Sequence, residues 1–287
     1  MLVIVGLVIV MGSVLAGYIE AGGHLLVLLQ IAEFIIIGGS AIGALIISTP
    51  PKLLSKIVKK SIGSLKGNKI DKNAYIDLLK MLFELGSFMR KNGLIALEPH
   101  VENPENSTIF TKYPLFLDDP DIRAFITDTL RLVIMGAASP HEIEMLMDAD
   151  IELHHQEGTK PGMILQKIAD SLPGLGIVAA VLGIIVTMQA IDGPAAEVGR
   201  KVAAALVGTF LGVLLSYGFV QPLATNIDLS NDDRSGIYNV IKLGITCTAK
   251  GYNPVVATEF ARRSISSDFR PSFQEVEQCL KEARHEE

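Results

Sequence analysis

The chain has no tryptophan, only 6% aromatic residues, only 20% charged residues and only two cysteines. Without tryptophan, the aromatic belts that usually mark membrane interfaces are thin. Cys247 and Cys279 lie far apart in the sequence and match no metal-ligand spacing, so they read as free, reduced thiols and no metal is expected. No Ser/His/Asp arrangement, nucleophile elbow or phosphate-binding loop occurs, so an enzyme is not expected and no cofactor is implied. The formal charge of -6 and a single basic cluster without interleaved aromatics exclude a nucleic-acid binder.

What is present is apolar. Hydrophobic residues make up 49% of the 287, gathered in four blocks: Leu2 to Gly17, Leu25 to Ile47, Ser171 to Ala190 and Val202 to Val220. Each is long enough for a helix to cross a hydrocarbon core of ~30 Å, or nearly so. The fold class that follows is all-α: a polytopic membrane protein with four transmembrane helices and a helical cytoplasmic domain. Its expected divisions are 1–48 (helices one and two), 49–170 (cytoplasmic), 171–222 (helices three and four) and 223–287 (cytoplasmic tail). The block starting at Leu2 lacks the basic flank of a secretory signal, so it reads as an uncleaved first span.

Lysines set the orientation. Lys52, Lys56, Lys59, Lys60, Lys66, Lys69 and Lys72 follow the second span against the single acid Asp71, which puts that end, and both termini, in the cytoplasm. The first loop, Tyr18 to His24, holds one acid and no lysine or arginine, as an outer loop should. The segment DGPAAEVGRKVA after the third span is expected along the outer interface.

The cytoplasmic region reads as helices. Tyr75, Leu78, Leu79, Leu82 and Leu85 predict an amphipathic helix reaching about Arg90 before Asn92 and Gly93. Asp119-Pro120 opens a second, which ends at Gly136. Ser139, Pro140 and Glu142 form a capping box opening a third that runs to about Gln156. The tail predicts a helix broken near Gly251 to Pro254 and a last one opened by Ser272 and Glu275.

Within the spans, Pro173, Gly176, Ala180, Gly183 and Thr187 form a small, weakly polar stripe on the third helix. Thr209, Val213, Ser216, Tyr217 and Val220 form a polar stripe on the fourth, which ends at Pro222 and is expected to face the third. Glu33 is the one carboxylate inside a span, either a packing acid at a helix contact or a member of an ion path. Neither stripe carries a titratable carboxylate, so these helices read as the wall of a pathway whose ion carrier belongs to another chain. Two other patterns carry nothing. Gly174, Gly176 and Ala179 fit a dinucleotide fingerprint but follow no strand, and His154 and His155 point to different faces of a solvated helix rather than to a metal.

With GYIEAGG, EFIIIGGSAIG (Glu33 to Gly43), ENP (Glu102 to Pro104), RPSF (Arg270 to Phe273), DSLPGLGIVAAVLG and VGTFLGVLLSYGFVQPLAT, the chain resembles the MotA family of flagellar stator subunits over nearly its whole length. The resemblance implies a homo-oligomer of five subunits in lipid in the bacterial cytoplasmic (inner) membrane, around a MotB-type single-span partner carrying an intramembrane aspartate. It also implies ion flow that drives rotation of the rotor protein FliG. By position it implies ion-coupling roles for Pro173 and Pro222, with Asp170, Ala180, Thr209, Tyr217 and Glu33 along the pathway, and rotor contact by Arg90, Glu98 and Asp150. Sodium-driven relatives carry threonine where this chain has Ala180, whose methyl group cannot replace sodium's lost water, so protons are the expected ion. Departures are Pro99 and His100, where charge is common, and Asp150, where glutamate is common. The rival expectations are an ExbB or TolQ-like energiser, which has three spans, and a self-contained channel, which needs its own ion-binding group.

Overall fold

The computed structural model describes residues 2–67, 70–189 and 191–285. Lys69 of the basic cluster and Ala190 at the end of the third span lie outside the described residues. Among the described residues there is helix and no strand, and four helical stretches are long and apolar enough to cross a membrane. The chain forms two compact units: Met1–Asn68 with Gly158–Ser230, and Lys69–Glu157 with Asn231–Glu287.

The first unit holds the spans. Helix α1 (Leu2–Glu20) buries no residue within the chain, so its apolar surface is left for lipid or a neighbouring chain. The second span differs from the unbroken helix expected: it is α2 (Leu25–Leu28) and α3 (Ile31–Ser48), interrupted at Leu29 and Gln30. Gln30 mends the interruption by donating its side-chain N–H to the Val27 carbonyl at 2.9 Å, a backbone oxygen that lipid could not satisfy. Pro51 occupies the first turn of α4 (Pro51–Lys66), where a missing N–H does no harm. Ile57 of α4 is buried with Leu165, Ala224 and Ile227.

The second unit builds its own core. Helix α5 (Lys72–Asn92) starts where Asp71 accepts from the Ala74 N–H and stops at Gly93, whose φ of 86° suits glycine. Short turns follow, including α6 (Glu98–Glu102) and α7 (Pro114–Leu117). Helix α8 (Pro120–Met135) is capped by the Asp119 carboxylate, which accepts from the Asp121 and Ile122 N–H groups. Leu78, Leu82, Ile126, Leu130, Ile241 and Ile245 meet at the centre. Inside that core Glu84 accepts from the Tyr113 hydroxyl at 2.6 Å and pairs with Lys112 at 2.9 Å.

Helix α9 (Pro140–Met188) differs most from expectation. It opens with the expected capping box, the Ser139 N–H meeting Glu142 at 2.7 Å. It then runs 49 residues without stopping at Gln156, passing through Pro161 and Pro173. Each internal proline releases one carbonyl, and surrounding packing can hold the helix together around it. Near the first, Lys60 donates to the Gly158 carbonyl at 2.8 Å. Helix α10 (Ala195–Leu215) begins just after Pro194, so AAEVGRKVA forms the first turns of the span and not a separate interfacial segment. Pro222 likewise ends nothing: a π-turn at Ser216–Val220 carries the chain into α11 (Gln221–Ala249).

The tail is as expected. Gly251 breaks the chain with φ 82°, Asn253 caps α12 (Pro254–Arg263), and Ser272 with Glu275 opens α13 (Phe273–His285). Both cysteines are free thiols. Burial pushes the Cys247 thiol's pKa up, which suits an inert packing group.

Two carboxylates of the second unit make it acid-sensitive. Hydrogen bonding to Arg262, then to Arg263, holds Glu259 down at about 2, and Lys72 with the Ser272 backbone holds Glu275 down at about 2. Groups depressed in the folded state contribute stability above their unfolded value of ~4.3, and that stability is lost as pH falls toward 2. Glu259→Gln is expected to lower stability at pH 7 by about 1 kcal/mol and to flatten the loss between about pH 4.5 and 2. Thermal melts of the detergent-solubilised protein followed by helical circular dichroism check this; an unchanged acid profile would count against the pairing.

Candidate ion-pathway wall

In lipid, two helices gain nothing from apolar contact that acyl chains do not offer, so close approach has to come from small residues. The third and fourth spans meet in that way. A Cβ added at Gly176 would lie 2.7 Å from the Gly208 carbonyl oxygen and 3.0 Å from the Gly212 Cα. One added at Gly212 would lie 2.6 Å from the Leu172 oxygen and 2.8 Å from the Gly176 Cα. Backbone touches backbone, with Ala179, Ala180 and Ala205 buried beside the contact.

This geometry corrects the face expected of α10. The residues turned to α9 are Ala205, Gly208, Gly212 and Ser216, while Tyr217 is 61% exposed, Val213 is exposed and Thr209 only half-buried. Bulkier Thr209, Val213 and Tyr217 would hold the backbones apart, so the small stripe takes the contact. Ala180 meets Gly208: its backbone N lies 3.0 Å from where a Gly208 Cβ would sit. The buried hydroxyls of the wall are spoken for. Thr187 donates to the Gly183 carbonyl at 2.8 Å, and Ser216 donates to the Ala169 carbonyl at 2.6 Å.

Glu33, on α3, sits in a slot on this wall. One carboxylate oxygen lies where a side chain at Gly208 would otherwise go, 2.5 Å from that Cβ position, the other is at ordinary contact distance, 3.4 Å, from the Gly183 Cβ position, and the residue is buried. The slot exists because position 208 is glycine. Pro173 is half-buried within α9, Pro222 is exposed, and Asp170 is exposed and accepts from Gln166 at 2.8 Å. From Ser171 to Gln189 and from Val202 to Val220, no residue is a carboxylate, lysine, arginine or histidine.

Arg90 and Glu98 are both exposed in the second unit, and among the described residues neither has an ion-pair partner. Arg90 borders a cavity of about 440 Å³ shared with Met89, Leu94, Gly136 and Tyr252. Asp150 stands 3.5 Å from His154. The two histidines are not the solvated face expected of them. His154 stacks on Tyr238 with centroids 5.0 Å apart, and His155 bonds Ser235 at 3.1 Å. Elsewhere in the second unit, burial lowers the pKa of His100, whose Nδ1 shares a hydrogen bond with the Ser107 hydroxyl at 2.8 Å while that oxygen accepts from the Ile109 and Phe110 N–H groups. Ser216 belonged to the polar stripe read from the sequence and does meet α9, continuing the Gly208, Gly212 register by one turn; the Gln30 repair had no signal in the sequence.

Comparison with known proteins agrees with this architecture. Residues 4–93 match the Motility protein A N-terminal family model, and residues 119–235 match the MotA/TolQ/ExbB proton channel family. Motility protein A of Salmonella typhimurium is 41% identical over 285 residues, spanning 99% of this chain and 97% of that protein. Among solved structures, the fold is that of C. jejuni MotAB, with TM-score 0.78 at 23% identity over 94% of this chain and 98% of that one. It is also that of the flagellar MotAB stator complex from Bacillus subtilis, with TM-score 0.72 at 24% identity over 89% and 92%.

The backbone contact can be tested by the sign of glycine substitutions. Glycine to alanine inside a helix ordinarily stabilises by ~0.5–1 kcal/mol. Gly174→Ala, with nothing within 4 Å of the new methyl, is expected to follow that rule. Gly176→Ala and Gly212→Ala are expected to destabilise by about 1–3 kcal/mol, because backbone must move. Melting temperatures of the purified variants decide, and equal shifts at all three positions would contradict the packing.

Proposed function

This chain belongs to the motility protein A family and is a stator subunit of the bacterial flagellar motor, a multi-pass membrane protein, and on that premise we propose how it works. Its α9 and α10 form one wall of a proton path, and the group that gains and loses the proton is an aspartate on a single-span MotB-type partner. The observation that carries this is the absence of any carboxylate, lysine, arginine or histidine from the apolar stretches of the wall, Ser171 to Gln189 and Val202 to Val220, since a proton path needs an exchanging group. The apolar faces left open on α1 and on α9 (Ile177, Val181, Ile184, Ile185) support an assembly of several copies, five in the family's pattern, around the partner. The driving ion is the proton, because buried Ala180 offers no oxygen to a sodium ion. No cofactor takes part.

In this proposal both termini and the second unit lie in the cytoplasm of a cell whose inner membrane holds the spans. Arg90 and Glu98, exposed and without an ion-pair partner among the described residues, meet charges on the rotor protein FliG, and Asp150 contributes a further rotor contact. Exposed pairs are individually weak and screened by salt, which suits contacts that must form and release at every step. Pro173 and Pro222 interrupt the hydrogen-bond ladders of the wall and give it places to bend. Glu33 acts as a packing acid for the slot at Gly208.

Reconstitution tests the division of labour. Liposomes holding this chain alone are expected to show no proton flux above background, and flux is expected once a partner with the intramembrane aspartate is added. Flux from this chain alone that disappears in Glu33→Gln would support the self-contained channel instead. In cells, Pro173→Ala is expected to abolish swimming at normal membrane levels of the protein, and Arg90→Glu to reduce it. Swimming unchanged in both would remove these two roles.

A further inference from the structure

The two prolines of the wall are joined by a hydrogen bond. In an α-helix the N–H of residue 173 would pair with the carbonyl of residue 169, but Pro173 has no N–H, so the Ala169 oxygen is released from its own helix. That oxygen belongs to a fully buried residue, where a bare carbonyl is costly. Ser216 of the facing helix donates its hydroxyl to it at 2.6 Å and is itself fully buried.

The position of Ser216 is not incidental. It is the first residue of the π-turn, and its carbonyl accepts the Gln221 N–H across five residues. The turn lies immediately before Pro222, whose ring would clash with the carbonyl four residues back in a regular helix. One residue group therefore answers both defects: the widened turn makes room for Pro222 and carries the hydroxyl that takes up the oxygen freed by Pro173. Gly212 and Gly176 bring the two backbones near enough for a side chain as short as serine to reach.

We propose that Ser216 is a positioning residue for ion coupling, a latch that holds the Pro173 bend of α9 against the Pro222 turn so that movement at one proline is passed to the other. The latch deepens the role given above to Pro173 and rests on it. It requires no new ligand: the bond is neutral, made between a hydroxyl and a carbonyl, and it exchanges for a backbone bond only if residue 173 regains an N–H.

That last property gives the test. In the complete complex with its partner, Ser216→Ala, Pro173→Ala and the double variant are compared for melting temperature and for torque per stator, the latter from the height of single speed steps on tethered cells. Ser216→Ala alone is expected to lower the melting temperature by about 3 °C and the step height by about half. Ser216→Cys, a similar-sized but weaker donor, is expected to fall between. In the Pro173→Ala background the alanine N–H takes the Ala169 carbonyl, so removing Ser216 is expected to cost little further stability. An equal melting shift in both backgrounds overturns the latch. A non-additive melting shift with normal step height in Ser216→Ala overturns its part in coupling. Normal step height in Pro173→Ala removes the role assigned to that proline whatever the melting data show, so the two failures are told apart.

Discussion

A membrane span surrounded by acyl chains has no hydrophobic reason to choose another helix over lipid. In this protein the choice is made at Gly176, Gly208 and Gly212, where two backbones approach closely enough that a single methyl group would collide with main-chain atoms. Several other features depend on that distance. Glu33 can enter the wall because Gly208 leaves it a slot, and Ser216 can reach the Ala169 carbonyl because nothing larger than glycine stands one turn before it. A wall packed through leucine would be as apolar but would have neither the slot nor the latch.

Close packing alone would make a rigid wall, and the prolines temper it. Pro161 and Pro173 lie inside one 49-residue helix, and Pro222 lies beyond a π-turn. In water each released carbonyl would bind solvent. Within a span it has to find a protein donor. For Pro173 that group is identified, and its identity ties the bendable point of one span to the bendable point of the next.

Features that depend on neighbours in sequence were legible in the residues; those that depend on which faces meet were not. The charge-free runs gave four spans, and the Asp119 cap, the Ser139–Glu142 box, the Ser272–Glu275 box and the break at Gly251 all formed where local chemistry placed them. Prolines misled: Pro222 was expected to end the fourth span, yet a π-turn carries the chain on into α11, and the helix expected to stop near Gln156 runs on through Pro161. The face of α10 was mistaken by about one residue, or 100° of rotation: the stripe of Thr209, Val213, Ser216, Tyr217 and Val220 was chosen for its hydroxyls, and of these Ser216 does meet α9, whereas closeness of approach selected Ala205, Gly208 and Gly212 for the rest of the contact. His154 looked solvated because its sequence neighbours are charged, yet Tyr238, distant in sequence, stacks on it.

The placement of charge follows one logic through the chain. In the second unit, charges that hold structure are paired and at least partly covered, as Glu84 is with Tyr113 and Lys112 and Glu259 with Arg262. Arg90 and Glu98 are exposed and have no partner among the described residues. A charge already satisfied within its own fold has little to offer a passing surface, because a new contact must first break the old one. An unpaired, solvated charge loses only water on meeting its opposite, so the encounter is fast, weak and reversible. The proposed mechanism needs contacts of that kind on the second unit and, in the spans, wall stretches without a charged side chain of their own. Under the proposed mechanism the same economy would govern both: the wall would leave proton exchange to the partner, and Arg90 and Glu98 would stay unpaired until the rotor arrives.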